Sequence, residues 1–138
     1  MSEQEKMLAE MLYTAQDPEL VAAHRRALRL TQRYNATGED QAEEREALIQ
    51  ELLGSFGEDG VIMPPFRCDY GSQIEIGDHF FANYDCLFLD VCSITIGNHV
   101  MLGTAGCCIP QLIRSAVKCD TDWITASRSQ SAILLDRR

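Results

Sequence analysis

The chain has 138 residues, 46% of them hydrophobic and 24% charged, with a formal net charge of −9. That length makes one domain, or a small helical cap joined to a partial core, and that composition excludes wholesale disorder. The charge argues against a nucleic-acid partner, whose phosphates need a basic surface, and no apolar run nears the ~20 residues that span a bilayer, so no membrane partner is expected.

The opening Ser2 to Lys6 is polar, without the apolar core or cleavage site of a signal peptide, which makes the cytoplasm the expected location. Residues 1–58 read as a helical unit. Met7, Leu8, Met11 and Leu12 fall at helical spacing. Asp17-Pro18-Glu19 then starts a second helix, with an N-cap Asp, Pro at the first position and an acid in the first turn. That helix, about 18–34, offers Leu20, Val21, Ala27, Leu28 and Leu30 as a buried side. Arg25, Arg26, Arg29 and Arg33 line a basic face beside it, read as a solvated helix side rather than a ligand site. Asn35-Ala36-Thr37-Gly38 breaks it, and a third helix runs roughly 39–54 through Leu48, Ile49, Leu52 and Leu53.

From residue 59 the pattern changes. Pro64-Pro65 ends helical character, and β-branched and aromatic residues take over at short spacings. Ile74-Glu75-Ile76-Gly77-Asp78-His79 returns twenty residues later as Ile94-Thr95-Ile96-Gly97-Asn98-His99. Apolar or small residues recur every six, at Ile74, Phe80 and Cys86, and after two inserted residues at Ile94 and Val100. A period of six fits neither a helix nor a hairpin; it is the mark of a β-helix whose coils have three flat sides. Inward aliphatics are expected at each repeat start, with Gly77 and Gly97 at corners that need positive φ. The fold class expected is therefore α+β: a helical cap over residues 1–58, then the first coils of a left-handed parallel β-helix over 59–103.

Six cysteines (Cys68, Cys86, Cys92, Cys107, Cys108 and Cys119) contain no C-x-x-C pair, so they read as small buried apolar residues and no metal is expected. Charge shifts along the chain: residues 1–60 carry six Lys/Arg against thirteen Asp/Glu, 61–108 one against five, and 109–138 five against three. The ending differs in character from what precedes it.

Several blocks resemble the maltose and galactoside O-acetyltransferases, including the related nodulation acetyltransferases, over roughly residues 7–103. Met7 to Tyr13, Asp17 to Leu20 and Arg33-Tyr34-Asn35-Ala36-Thr37 resemble that family's helical cap. Pro64 to Gly71 resembles its entry into the β-helix, and Phe81 to Cys86, Leu89 to Cys92 and Ile94 to Gly97 its first coil. The resemblance implies acetyl transfer from acetyl-CoA to a sugar hydroxyl, in a homotrimer whose active site lies between subunits. A histidine would act as general base on the hydroxyl, and a backbone N–H would stabilise the oxyanion. Asp69 and Asn83 would line the sugar pocket, with Asp90 nearby; carboxylates and amides suit sugar hydroxyls. Asp69 and Asp90 could equally cap turns at coil corners.

The pattern stops after Gly103. The family's base is expected some ten residues on, in a Thr-x-x-His-Pro context, where this chain has Ala105 to Arg114. The chain's three histidines do not replace it: His24 belongs to the cap, and His79 and His99 hold equivalent repeat positions. Residues 104–138 are unlike the family and read as frameshifted. Taken from the third base of each codon, Ile109 to Ser115 permit Thr-Ala-Thr-His-Pro-Leu. In the same frame Asp122-Trp123-Ile124 forces Leu-Asp, and Thr125 to Ala132 permit Gly-Lys-Pro-Val-Thr-Ile-Gly-Asp. A single-nucleotide slip near codons 103–108 accounts for both, leaving a chain without its catalytic histidine or acetyl-CoA-binding coils, and no co-substrate is expected on it. Within such a tail Ala132-Ile133-Leu134-Leu135 is the stretch expected to pack.

A β-helix cut after its first coil is expected to expose a strand edge and an apolar end, forgoing ~1.5–3 kcal/mol for each large side chain left bare. The purified chain should therefore associate or precipitate; sedimentation showing a monodisperse monomer that also melts cooperatively would oppose this.

Overall fold

The computed structural model describes residues 1–104 and, beyond them, the backbone of four short strands. Three helices come first: α1 (Glu3–Leu8), α2 (Pro18–Asn35) and α3 (Ala42–Leu52). Ser2 caps α1, its hydroxyl accepting from Glu5 N and the Glu5 carboxylate accepting from Ser2 N. The helix stops sooner than its apolar spacing suggests. Glu10 turns left-handed at φ 56° and Met11 N–H returns to Lys6 O at 2.9 Å, so Met11 and Leu12 lie outside the helix, Leu12 99% exposed.

The second helix begins as its sequence dictates, with the Asp17 side chain accepting from Glu19 N at 3.0 Å and Pro18 in its first turn. Leu20, Ala27, Leu30, Thr31 and Tyr34 form its buried stripe, while Leu28 sits off it and is largely exposed. Leu48, Ile49 and Leu52 of α3 meet that stripe.

Among the described residues twelve strands follow: β1 (Ser55–Phe56), β2 (Val61–Ile62), β3 (Phe66–Cys68), β4 (Ile74–Ile76), β5 (Phe81–Ala82), β6 (Cys86–Phe88), β7 (Ile94–Ile96), β8 (Val100–Leu102), β9 (Cys107–Cys108), β10 (Ala116–Lys118), β11 (Trp123–Thr125) and β12 (Ile133–Leu135). Through β9 every pairing is parallel, and each residue lies beside the one twenty positions later: Ser55 by Glu75 and Glu75 by Thr95, Val61 by Phe81 and Phe81 by Met101, Phe66 by Cys86 and Leu87 by Cys107. Three such parallel sheets are the three sides of a β-helix. Ile74, Phe80, Cys86, Ile94 and Val100 all point inward at 1% exposure or less. Each large one contributes ~1.5–3 kcal/mol of burial.

The coil starts at Ser55, four residues before residue 59. This earlier turn escapes a search for aliphatic repeats because Gly54, Gly60 and Phe66 hold the positions of Ile74, Phe80 and Cys86; the ring of Phe56 fills the space a side chain at Gly60 would occupy. The corners also differ from expectation. Positive φ falls on Asp59 (54°), His79 (55°) and His99 (56°), two residues after the glycines. Gly77 is required for closeness instead: a Cβ there would stand 2.8 Å from Gly97 C and 2.9 Å from Gly97 O in the next coil.

The cap is fastened to the coils through backbone. Asn35 Nδ2 donates to Phe66 O at 2.9 Å while its Oδ1 accepts from Phe66 N at 2.8 Å. Tyr34 O–H donates to Ile62 O at 2.5 Å. At the far end β11 lies antiparallel to β7 and β12 antiparallel to β8. On those two sides the expected bare edge is thus paired, because backbone N–H and C=O groups at an edge accept another strand.

Gly77→Ala should cost about 1–3 kcal/mol in chemical denaturation, since backbone of the neighbouring coil must shift. Gly38→Ala, whose Cβ meets only the side chains of Asp40 and Gln41, should be close to neutral.

Candidate functional site

Two of the coil's three corners carry chemically distinct groups. At the first, between the β1-β4-β7 and β2-β5-β8 sides, side chains cap the backbone of the preceding turn: Asp78 Oδ1 accepts from Glu58 N at 2.8 Å and Asn98 Oδ1 from Asp78 N at 2.7 Å. His79 and His99 stack there, ring centroids 4.8 Å apart, and His79 Nδ1 lies 3.7 Å from Asp59 Oδ2. Their equivalence in the repeat thus reflects a shared place on an exposed edge.

The other corner, after the β3-β6 side, gathers Asp69 and Asp90. Asp90 follows β6 and is fully buried. Its Oδ1 accepts from Asp69 N at 3.0 Å and Tyr70 N at 2.9 Å. Burial nonetheless pushes its carboxyl up to about 6, with Asp69 adding to the rise. This is the geometry of a corner cap, one of the two alternatives open in the sequence. Asp69 is half-buried; desolvation raises its carboxyl, and His24 opposes the rise. His24 Nδ1 bonds to Asp69 O at 2.8 Å, and its ring meets Tyr70 edge-on at 6.2 Å. Tyr70 in turn packs with Met7 and Leu20 of the cap, and Tyr13 and Val91 adjoin them.

Asn83 stands apart. It follows β5, where its Oδ1 accepts from Tyr84 N at 2.9 Å and its own N–H donates to Leu102 O at 3.0 Å. The whole of β6 lies between Asn83 and Asp90, about 10 Å at 3.3 Å per residue. Within one chain the structure therefore brings Asp69 and Asp90 together and leaves Asn83 at the opposite end of the same side. His24 was not legible as a neighbour of Asp69, since forty-five residues separate them and no periodicity spans the cap and the coil.

Cys68, Cys86 and Cys92 are buried, as small apolar residues would be, and no group of three metal-ligating side chains gathers among the described residues. The basic face of α2 is partly engaged: Arg26 donates to Glu51 O, and Arg33 lies 3.9 Å from Glu44. No helix among the described residues is long and apolar enough to cross a membrane. A coenzyme A thioester, with its phosphates, would find one cationic side chain, Arg67, between residues 54 and 104.

Residues 6–57 match the model of the maltose acetyltransferase hexapeptide capping motif. The chain is 44% identical over 104 residues to nodulation protein L of Rhizobium meliloti, covering 75% of this chain and 57% of that protein. Among solved structures it superposes on a maltose O-acetyltransferase from Clostridium difficile with a TM-score of 0.76 and 42% identity, over 87% of this chain and 62% of that one. A hexapeptide-repeat acetyltransferase from Vibrio cholerae, solved with acetyl coenzyme A, follows at TM-score 0.70 and 39% identity, over 78% and 57%. The chain thus spans a little over half the length of these relatives. Across the cap and coils it shares with them, the chain is similar to the maltose and galactoside O-acetyltransferases, and its fold is their helical cap on a left-handed parallel β-helix.

Proposed function

We propose that this chain is the front part of a cytoplasmic, acetyl-CoA-dependent sugar O-acetyltransferase, inactive as it stands because the catalytic histidine is out of frame. The observation that supports it best is the coincidence of the cap and three parallel sheets with a maltose O-acetyltransferase at 42% identity, close enough to carry residues over by position. In the reaction the histidine takes the proton of a sugar hydroxyl, whose oxygen attacks the thioester carbonyl; the tetrahedral oxyanion collapses, the C–S bond breaks and the thiol of coenzyme A leaves with the proton. Asp69 and Asn83 are the acceptor-binding groups. With one at each end of the same side, they serve a single pocket if it runs along β6 or forms between adjoining subunits. Asp90 supports Asp69 from beneath. The acceptor class is a maltose-, glucose- or galactoside-type sugar or a lipo-oligosaccharide.

The chain as given should show no acetyl transfer to maltose or a galactoside, and turnover by it would refute the inactive reading. Resequencing the coding DNA across codons 100–138 should find one extra or missing base near codons 103–108. In protein made from the restored frame, turnover should appear, and Asp69→Asn or Asn83→Ala should raise KM for the sugar about tenfold, equivalent to ~1.4 kcal/mol of binding, while acetyl-CoA affinity holds.

A second reading is favoured by one surface. Val61, Phe81 and Met101 stand in register on the outward face of one side, with Val61 45% and Met101 39% exposed. Such a column suits a chain that assembles with intact relatives without catalysing anything. Co-expression with an intact relative should then yield stable mixed trimers that Phe81→Glu abolishes; only homotrimers of the relative would dismiss it.

A further inference from the structure

Asp90 uses only half of its carboxylate. Its Oδ1 is saturated by the backbone N–H groups of Asp69 and Tyr70, but its buried Oδ2 has no hydrogen-bond partner. The buried Oε1 of Gln73 has none either. The two residues meet, because Gln73 Nε2 donates to the Asp90 carbonyl at 2.6 Å. Two neighbouring residues thus each leave a buried acceptor without a donor, an arrangement natural proteins avoid.

No cationic side chain hydrogen-bonds to Asp90 Oδ2. From β3 and its turn come the Cys68 thiol, which burial holds protonated, the Asp69 carboxylate and the Tyr70 ring. From the cap come Tyr13, beside Tyr70, and His24 and Arg26, whose hydrogen bonds run to Asp69 O and Glu51 O. Cys92, two residues on, is also raised by burial. None of these donates to Asp90 Oδ2.

We propose that Asp90 is a proton-operated latch between cap and coil, closed when its Oδ2 carries a hydrogen donated to Gln73 Oε1 and loosened when that hydrogen leaves. A neutral carboxylic acid supplies the one donor the pair lacks, while its other oxygen keeps both backbone N–H groups. Ionisation leaves a buried charge beside a second unpaired acceptor. What the latch holds is the Asp69–Tyr70 turn, through which Tyr70 reaches Met7 and Leu20 of the cap. It rests on the fold alone and stands whether or not the chain or its intact form acetylates sugars.

The direction of the effect follows from the proton count. The carboxyl sits at about 6 in the folded chain against an ordinary 3.8, so between those values the folded state holds more protons than the unfolded one. Stability therefore falls as pH rises through that window and stays low above it.

Thermal unfolding of the full chain at constant ionic strength tests this. Tm should fall by several degrees from about pH 4 to about pH 7 in the wild type, and should change far less in Asp90→Asn, whose carboxamide supplies the donor permanently. At about pH 7 the variant should melt above the wild type. Should the variant fail to fold, hydrogen exchange in the wild type decides: the Asp69 and Tyr70 amides, corrected for intrinsic rates, should be better protected at about pH 5 than at about pH 7. An equal pH slope in Asp90→Asn, or protection that ignores pH, overturns the latch and assigns the missing donor to a trapped water.

Discussion

Every coil of this protein rests on the one before it at a fixed distance of twenty residues along the chain. That register decides which side chains can occupy which position. Ile74 and Ile94 share a place inside the prism, Glu75 and Thr95 one outside it, and Gly57 and Gly77 one where no side chain fits. A slip by one position would turn isoleucines outward and drive a Cβ into a neighbouring carbonyl. The inserted pair between Cys86 and Ile94 keeps the third corner long enough to hold Asp90, so the insertion belongs to the register rather than interrupting it.

The cap answers a need that the first coil creates. A solenoid unit cannot cover its own end, and the terminal unit needs a different covering. Here α2 and α3 bring Tyr34, Leu48, Ile49 and Leu52 into the same core as Phe56, Phe66 and Ile74. The smaller cluster of Met7, Leu20 and Tyr70 secures the corner. Hydrogen bonds settle the orientation that packing alone would leave loose: Asn35 to Phe66, Tyr34 to Ile62, His24 to Asp69.

Much of this was legible in the residues. The coils between Ile74 and Leu102 announce themselves through a six-residue period, and the second helix through Asp17-Pro18-Glu19. The first turn of the β-helix did not, because glycine holds two of its repeat positions, and at Gly60 the ring of Phe56 takes the space of a side chain. The corner glycines misled for a related reason. Glycine is chosen for left-handed backbone or for lack of a Cβ, and sequence does not separate these; only the stacking of Gly77 on Gly97, with the strain carried by His79 and His99, does. Of the candidate site residues, the sequence could pair neither Asp69 with His24 nor Asp90 with Gln73. Such contacts run between elements whose relative placement no periodicity records.

The clasp between Asn35 and Phe66 has a consequence for how such proteins change over generations. Both of its hydrogen bonds go to the main chain of Phe66, as does the bond from Tyr34 to Ile62. A fastening that reads main chain is indifferent to the side chains around it. Mutational drift in the coil surface leaves the grip intact, and a helical unit of this kind could be transplanted onto solenoids of other lengths and chemistries without being redesigned at the joint.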